Sequence, residues 1–130
     1  MKALFQSVFA RFNSADGAAF KAAISGKMYI DTAPDTAVLP YVVVSLPSNV
    51  PDQLKEVCEI QFSIFSASSS ATEVCDIYTA LTELFDNCDL DNLGNPDNLG
   101  MERSFSHLIY DSDAKVRQYV VQYECWVLRR

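Results

Sequence analysis

Apolar positions in the first quarter of the chain recur with the spacing of helices. In residues 2–13 one helical face carries Leu4, Phe5, Val8 and Phe12. A shorter pattern over residues 18–25 places Phe20 and Ile24 on one face, and Gly26 follows where a left-handed helix cap is common. The sequence therefore predicts two short helices with a break between them, followed by an irregular stretch over residues 27–40.

Four later segments have the composition or the alternation of strands. They are residues 41–46, 57–65, 103–110 and 116–128. Residues 47–52 hold two prolines and predict a turn after the first of these strands. The last two segments are joined by five residues, so they predict an antiparallel hairpin.

The strongest helical pattern lies between the second and third predicted strands. Ser70 and Glu73 match a capping box, and the helix is expected to end near Asn87. Its buried stripe is predicted to hold Val74, Ile77, Tyr78, Leu81, Leu84 and Phe85. The order of elements predicts one α+β domain over residues 1–130, a mainly antiparallel four-stranded sheet with helices packed on one face.

Charge is unevenly distributed along the chain, whose formal net charge is -7. Residues 1–55 sum to +1, residues 56–102 to -10 with no basic residue, and residues 103–130 to +2. A chain this acidic lacks the basic surface that grips phosphates, so specific nucleic-acid binding is not expected. No segment approaches the ~18 apolar residues of a membrane span, so we expect a soluble protein without a membrane partner.

The usual catalytic and cofactor motifs are absent from the sequence, and we expect no enzyme, no cofactor and no metal. His107 is the only histidine. A pairing with a cysteine as base and nucleophile is one interpretation, but no third orienting group is identifiable, and a structural or subunit-contact histidine is favoured. The four cysteines, Cys58, Cys75, Cys88 and Cys125, are interpreted as small buried hydrophobic residues in reduced form.

A carboxylate-rich loop is the second candidate for a site. Its side chains Asp86, Asp89, Asp91 and Asp97 offer the hard oxygens that Ca²⁺ or Mg²⁺ prefer. The calcium-loop template fails because Leu93 and Gly100 stand where oxygen ligands are required. The alternatives to a metal site are a loop that is merely solvated and a loop that is used in assembly.

The last predicted strand carries apolar residues on both faces. Val120, Trp126 and Leu128 lie opposite the face that alternation assigns to the core. Exposed apolar groups of this size mark interaction surfaces, so these three residues are candidates for a subunit or tube interface. A bulge that turns Trp126 into the core is the alternative.

Two short motifs resemble a known family. They are Met28-Tyr29-Ile30-Asp31-Thr32-Ala33-Pro34 and Leu39-Pro40-Tyr41-Val42-Val43-Val44. Together with the second strand, the amphipathic helix and the final strand with its aromatic residue, they are similar to the tail terminator, or tail completion, proteins of tailed phages. The resemblance covers nearly the whole chain in order and length, but the acidic loop has no counterpart in it.

The resemblance implies a structural virion protein of the tail, assembled in the host cytoplasm and without enzymatic activity. It implies a ring, of about six copies, that ends growth of the tail tube and presents the surface for head docking. The implied partners are further copies of this chain, the tail tube protein and a head–tail connector or neck protein. A head-completion or neck role is the alternative, and a small hydrolase or metal-dependent enzyme using His107 or the acidic loop is less favoured.

DNA must pass through such a ring without being held, and acidic residues favour that passage because they repel phosphates. We therefore predict an acidic lining of the DNA channel drawn from the negative segment of the chain. The predicted residues are Glu59, Asp86, Asp89, Asp91 and Asp97.

Overall fold

The computed structural model describes residues 8–34, 36–51, 55–66, 72–86, 98–111 and 116–128. For residues 46–51, 55–58, 98–101, 110–111 and 126–128 this description covers the backbone. Three helices (α1, residues 8–12; α2, Ala18–Ala23; α3, Thr72–Phe85) and a 3₁₀ turn (Ala15–Gly17) lie on one side of a sheet. The strands are β1 (Met28–Ile30), β2 (Tyr41–Pro51), β3 (Lys55–Ser66), β4 (Asn98–Asp111) and β5 (Val116–Leu128).

The α+β class is confirmed, but the sheet has five strands and is mixed. Its order is β1-β2-β3-β5-β4, with β1 parallel to β2 and the remaining neighbours antiparallel. The prediction missed β1 because three residues are too few to show an alternating pattern. Parallel pairing with the β-branched β2, from Met28 opposite Val42 to Ile30 opposite Val44, makes this short segment a strand.

The predicted turn over residues 47–52 is also wrong, since β2 continues to Pro51. Its pairing with β3 shifts between Ser45 and Ser48, and the pairs then resume to Pro51 opposite Glu56. A bulge at this shift accommodates Pro47, which has no N–H to donate to a regular ladder. The predicted hairpin of β4 and β5 is confirmed.

The core lies between the helices and one face of the sheet. From the sheet it contains Val42, Val44, Ile60, Phe62, Ile64, Val121, Tyr123 and Cys125, and from the helical side Val8, Phe12, Phe20, Ile24, Val74, Ile77, Leu81, Leu84 and Phe85. Most of the predicted stripe of α3 is therefore buried, with Tyr78 packed at its margin. Stacking of Phe62 on Phe85, with centroids 4.8 Å apart, joins β3 to α3.

The chain turns sharply between α1 and α2. A glycine is needed there, since a Cβ on Gly17 would lie 2.3 Å from the carbonyl oxygen of Phe12. The predicted cap at the end of α2 is confirmed, because Gly26 has φ +73° and its N–H donates to the Lys21 carbonyl at 2.8 Å. In the part of the chain that the structure describes, no helix is long and apolar enough to cross a membrane. The capping residue Ser70 and the start of the first predicted helix lie outside the described residues.

Candidate assembly surfaces

The face of the sheet opposite the helices, termed the open face, is not covered by any element among the described residues. Its side chains alternate with those of the core along each strand. They are Tyr29 from β1, Tyr41, Val43 and Ser45 from β2, Glu59, Gln61, Ser63 and Phe65 from β3, Gln118, Val120, Gln122 and Glu124 from β5, and Glu102, Phe105, His107 and Ile109 from β4. Uncharged polar and aromatic side chains are the most frequent on this surface.

A groove of ≈ 340 Å³ lies on the open face beside β1. Its walls are the segment from Asp31 to Ala33 and the side chains of β2 and β3, including Tyr41 and Phe65, whose rings are 5.1 Å apart. Asp31 is the only carboxylate among the residues that line the groove, and no histidine or cysteine is among them. A carboxylate without a neighbouring nucleophile or second acid does not form a catalytic pair.

Three glutamates form a row across the open face. Glu59 of β3 pairs in register with Glu124 of β5, and Glu124 pairs with Glu102 of β4. Directly opposed residues on neighbouring strands share a face with Cβ atoms about 5 Å apart, and like charges so placed are destabilising. Within the described part of the chain, however, no group of three or more His, Cys, Asp or Glu residues has the arrangement of a metal site.

Glu59 is the only member of this row among the predicted channel residues. Glu102 and Glu124 were missed, because their alignment depends on pairing between strands far apart in the chain. The alternation of β3 and β5 gives the outward direction of Glu59 and Glu124, but the register between these strands is not readable from either segment alone.

Asp86, in contrast, lies on the helix side of the sheet, at the end of α3. Its Oδ1 accepts a hydrogen bond from Tyr123 Oη at 2.6 Å, and its Oδ2 lies 3.5 Å from Arg103 Nη2. Arg103 Nη1 also donates to Tyr78 Oη. The structure thus does not bring Asp86 and Glu59 together, and Asp89, Asp91 and Asp97 lie outside the described residues. The role of Glu59, Asp86, Asp89, Asp91 and Asp97 as a lining of the DNA channel stays a prediction.

Tyr78 and Tyr119 stack beside this ion pair. Their ring centroids are 4.2 Å apart with an angle of 11° between the planes, and Tyr78 Oη lies 3.3 Å from Ser106 Oγ. Burial, followed by the proximity of Tyr78, raises the pKa of Tyr119 above its ordinary value of 10.0. The cluster joins α3 to β4 and β5 through neutral hydroxyl groups and one ion pair, an arrangement that fixes the helix on the sheet.

His107 lies exposed on the open face, opposite Val120 of β5. Cys75 is exposed on α3 and Cys125 is buried in the core, so both lie on the other side of the sheet. Neither is therefore placed to pair with His107 as nucleophile and base. The expected burial of the cysteines is confirmed for Cys125 and wrong for Cys75, while Cys88 and the side chain of Cys58 lie outside the description.

The predicted interface residues fall on β5. Val120 is 8% exposed, because the neighbouring strands place Ser63 and His107 on either side of it. The pairing of β5 with β3 runs without a shift from Arg117 to Leu128, and the irregularities near Gly100 and Ser104 add residues to β4. No bulge therefore interrupts β5 near Trp126. The side chains of Trp126 and Leu128 are not described, so their interface role stays a prediction.

Comparison with known proteins gives a family and a fold. Among curated proteins, none matches this sequence. A chain of a solved structure described as "Virion of native gene transfer agent (GTA) particle" matches with a TM-score of 0.72 at 14% identity, over 94% of this chain and 92% of that chain. At this identity the similarity concerns the fold. The family model described as tail completion protein gp17 matches residues 6–128, so the chain belongs to the tail completion protein family and is a structural protein of the virion tail.

Proposed function

We propose that this protein forms a ring, of about six copies, on the end of the tail tube. The ring ends polymerisation of the tube and presents the surface to which the head-side connector docks. The match of the family model to residues 6–128 carries the proposal. The chain of the gene transfer agent virion supports it, since that chain shares the fold and belongs to an assembled particle.

The shape of the subunit is compatible with this role. A closed ring uses heterologous contacts, so each subunit must offer two different surfaces to its neighbours. The sheet provides two unlike edges, the short β1 and the long β4. Residues Trp126 and Leu128, near the end of β5, remain our candidates for contact with the tube, whereas Val120 has little surface to contribute.

The open face is our candidate for the wall of the DNA channel. The row Glu59, Glu124 and Glu102 places three carboxylates at one level of this face. Repeated around a ring, the row forms a negative belt that repels the phosphates of passing DNA. Asp86 is bonded on the helix side, so it contributes to this lining only at a distance, while Asp89, Asp91 and Asp97 stay in the proposal on the strength of their charge.

The test is a polymerisation assay with purified tail tube protein. Negative-stain images should show shorter tubes as this protein is added, with one ring at a tube end, because a capped end no longer accepts tube subunits. The variant Asp76→Asn, changed at an exposed position of α3, should cap equally well and serves as control. Tube lengths that do not respond to an excess of the protein contradict the capping function. Binding to tailless heads in place of tubes would assign the protein to the neck.

A further inference from the structure

The large exposed apolar side chains that the structure describes lie at the two edges of the sheet. Among the residues whose side chains are described, five large apolar ones are between 39% and 68% exposed. Phe105, Leu108 and Ile109 belong to β4, and Ile30 belongs to β1. Val38 lies beside β1, since its carbonyl accepts a hydrogen bond at 2.6 Å from Nζ of Lys27, the residue before that strand. The sheet thus ends in an apolar patch on each side.

The β4 edge is open to another strand. All residues from Glu102 to Ile109 are exposed, and the described part of the chain pairs β4 with β5 alone. Edge strands are commonly protected by proline, lysine or bulges, and β4 contains neither proline nor lysine. Its irregularities lie at or before Ser104, and from Phe105 to Asp111 the pairing with β5 is unbroken. This second half of β4 therefore has the regular backbone that another strand requires.

The two edges have compatible directions. Because β1 is parallel to β2 and each later neighbour in the sheet is antiparallel, β4 runs opposite to β1. A rotation about an axis slightly inclined to the strands keeps these directions. It therefore brings β4 of one copy against β1 of the next as antiparallel neighbours, with both helical layers on the same side of the joined sheet. A pairing of β4 with another β4 would give a closed dimer, because that contact is isologous.

In one register of this pairing, apolar side chains of the two strands lie opposite each other on the same face of the joined sheet. With Ile30 opposite Leu108, both on the helix side, Tyr29 lies opposite Ile109, and both belong to the open face. The register ends there, because β1 ends at Ile30 and Asp31 follows with φ +63°.

We propose that the occupant of each edge is a second copy of this chain, with the β4 edge around Leu108 pairing antiparallel with the β1 edge around Ile30 of the neighbour. This inference rests on the ring of the proposed function and specifies its subunit contact. The five-stranded sheets then join into one continuous sheet around the ring, and the open faces, with their glutamate rows, line its interior. Of the β1 backbone groups that face away from β2, the Met28 carbonyl and the Ile30 N–H serve this pairing, since the Met28 N–H donates to the Gly26 carbonyl and the Ile30 carbonyl accepts from the Thr32 N–H. The two apolar patches provide its burial.

Cysteine cross-linking tests this contact between β4 of one copy and β1 of the next, which we term the seam. In a Cys75→Ser background, chosen because Cys75 is exposed, the double variant Ile30→Cys with Leu108→Cys is oxidised with diamide and run on a non-reducing gel. Cross-strand Cα atoms about 5 Å apart are within disulfide reach, so we expect a ladder of covalent oligomers that ends at the ring size and collapses on reduction. Each single variant should remain a monomer on the gel, because a head-to-tail contact never places identical positions together.

The controls separate this inference from the proposed function. Asp76→Cys with Leu108→Cys places one thiol on the exposed side of α3 and should give no ladder. Covalent dimers from Leu108→Cys alone would overturn the seam in favour of an isologous contact. Rings seen by native mass spectrometry, without a ladder, would overturn the seam and leave the ring intact. A protein that neither assembles at high concentration nor caps tubes would overturn both.

Discussion

Asp86 illustrates how a single carboxylate joins the helical layer to the sheet. It accepts a hydrogen bond from the fully buried Tyr123 and lies beside Arg103. Replacing Tyr123 with phenylalanine keeps the ring, which packs edge-on against Phe62 with centroids 5.9 Å apart, but removes the donor. Since a hydrogen bond to a charged group contributes about 2 kcal/mol, we expect Tyr123→Phe to lower the free energy of unfolding by that amount in urea titrations.

Tyr41→Phe is the matched control, because it removes a hydroxyl from a half-buried tyrosine on the open face, away from this joint. Its free energy of unfolding should stay within about 0.5 kcal/mol of the wild type, as is usual for changes outside the core. Equal losses from the two variants would mean that the bond to Asp86 contributes nothing specific to stability.

Tyr119 makes the stability of the fold depend on pH in the alkaline range. Its pKa is raised by burial and then by Tyr78, so the neutral hydroxyl is favoured in the folded state over the unfolded state, in which the pKa lies near 10. This contribution to stability is complete below pH 10 and is lost as the pH rises through the higher folded pKa. We expect the midpoint of thermal unfolding to fall as the pH rises above the unfolded-state value of about 10, and Tyr119→Phe to reduce that fall. An identical alkaline slope in the variant would assign the effect to other groups.

Residue types alone predicted only part of the candidate site. Glu59 and Asp86 were grouped because both belong to the acidic segment of the chain, but they lie on opposite faces of the sheet. The partner of Asp86 is Tyr123, 37 positions away, which α3 and β5 bring together only after folding. Strand alternation places Glu59 outward, and it is the register of three strands that adds Glu102 and Glu124 to it.

At the scale of elements, the corner between α1 and α2 depends on close packing of the backbone. A Cβ on Gly17 would lie within 3 Å of carbonyl atoms of Phe12 and Arg11, none of which can move as a side chain would. Gly26 has φ +73°, but a Cβ there meets only Lys21 Cε at 3.8 Å. We expect Gly17→Ala to destabilise by about 2–3 kcal/mol and Gly26→Ala by about 1 kcal/mol, measured by urea unfolding.

A larger loss of unfolding free energy for Gly26→Ala than for Gly17→Ala would show that the left-handed cap tolerates a side chain less well than the corner does. Gly26→Asn offers a further control, since asparagine adopts positive φ more readily than alanine does. It should recover part of the stability that Gly26→Ala loses, whereas no side chain at Gly17 relieves the contact with the carbonyl groups.

Elements whose hydrophobic pattern extends over many residues were predictable from the sequence. Elements that form only through pairing with a neighbouring strand were not. The stripe of α3 and the alternation of β3 each extend over enough residues to define a buried face. β1 has three residues and exists as a strand through its pairing with β2. The prolines of β2 predicted a turn because they disrupt a regular ladder, but the register shift after Ser45 lets the strand continue to Pro51.

At the scale of the whole molecule, whose net charge is -7, the described residues include two acidic surfaces. One is the glutamate row on the open face, and the other is the outer side of α3, where Asp76 and Glu83 are exposed. In a ring, passing DNA meets the wall of the channel and does not meet the outer wall. Acidic residues that face the channel act most strongly on a passing polyanion, because at physiological salt the repulsion decays over a screening length of about 8 Å. The position of a charge, more than its amount, therefore decides its effect.

This difference allows a paired test with equal changes of charge. Phage particles carrying Glu102→Lys with Glu124→Lys would place basic groups on the open face, and we expect DNA ejection to slow markedly because the ring then attracts phosphates. Added salt should restore much of the rate, since counterions compete for the same phosphates. Asp76→Lys with Glu83→Lys alters the net charge equally on the side of α3 and should leave ejection unchanged. Slower ejection from the α3 variant alone would assign that surface to the channel, and equal rates in both variants would remove the acidic lining from the mechanism.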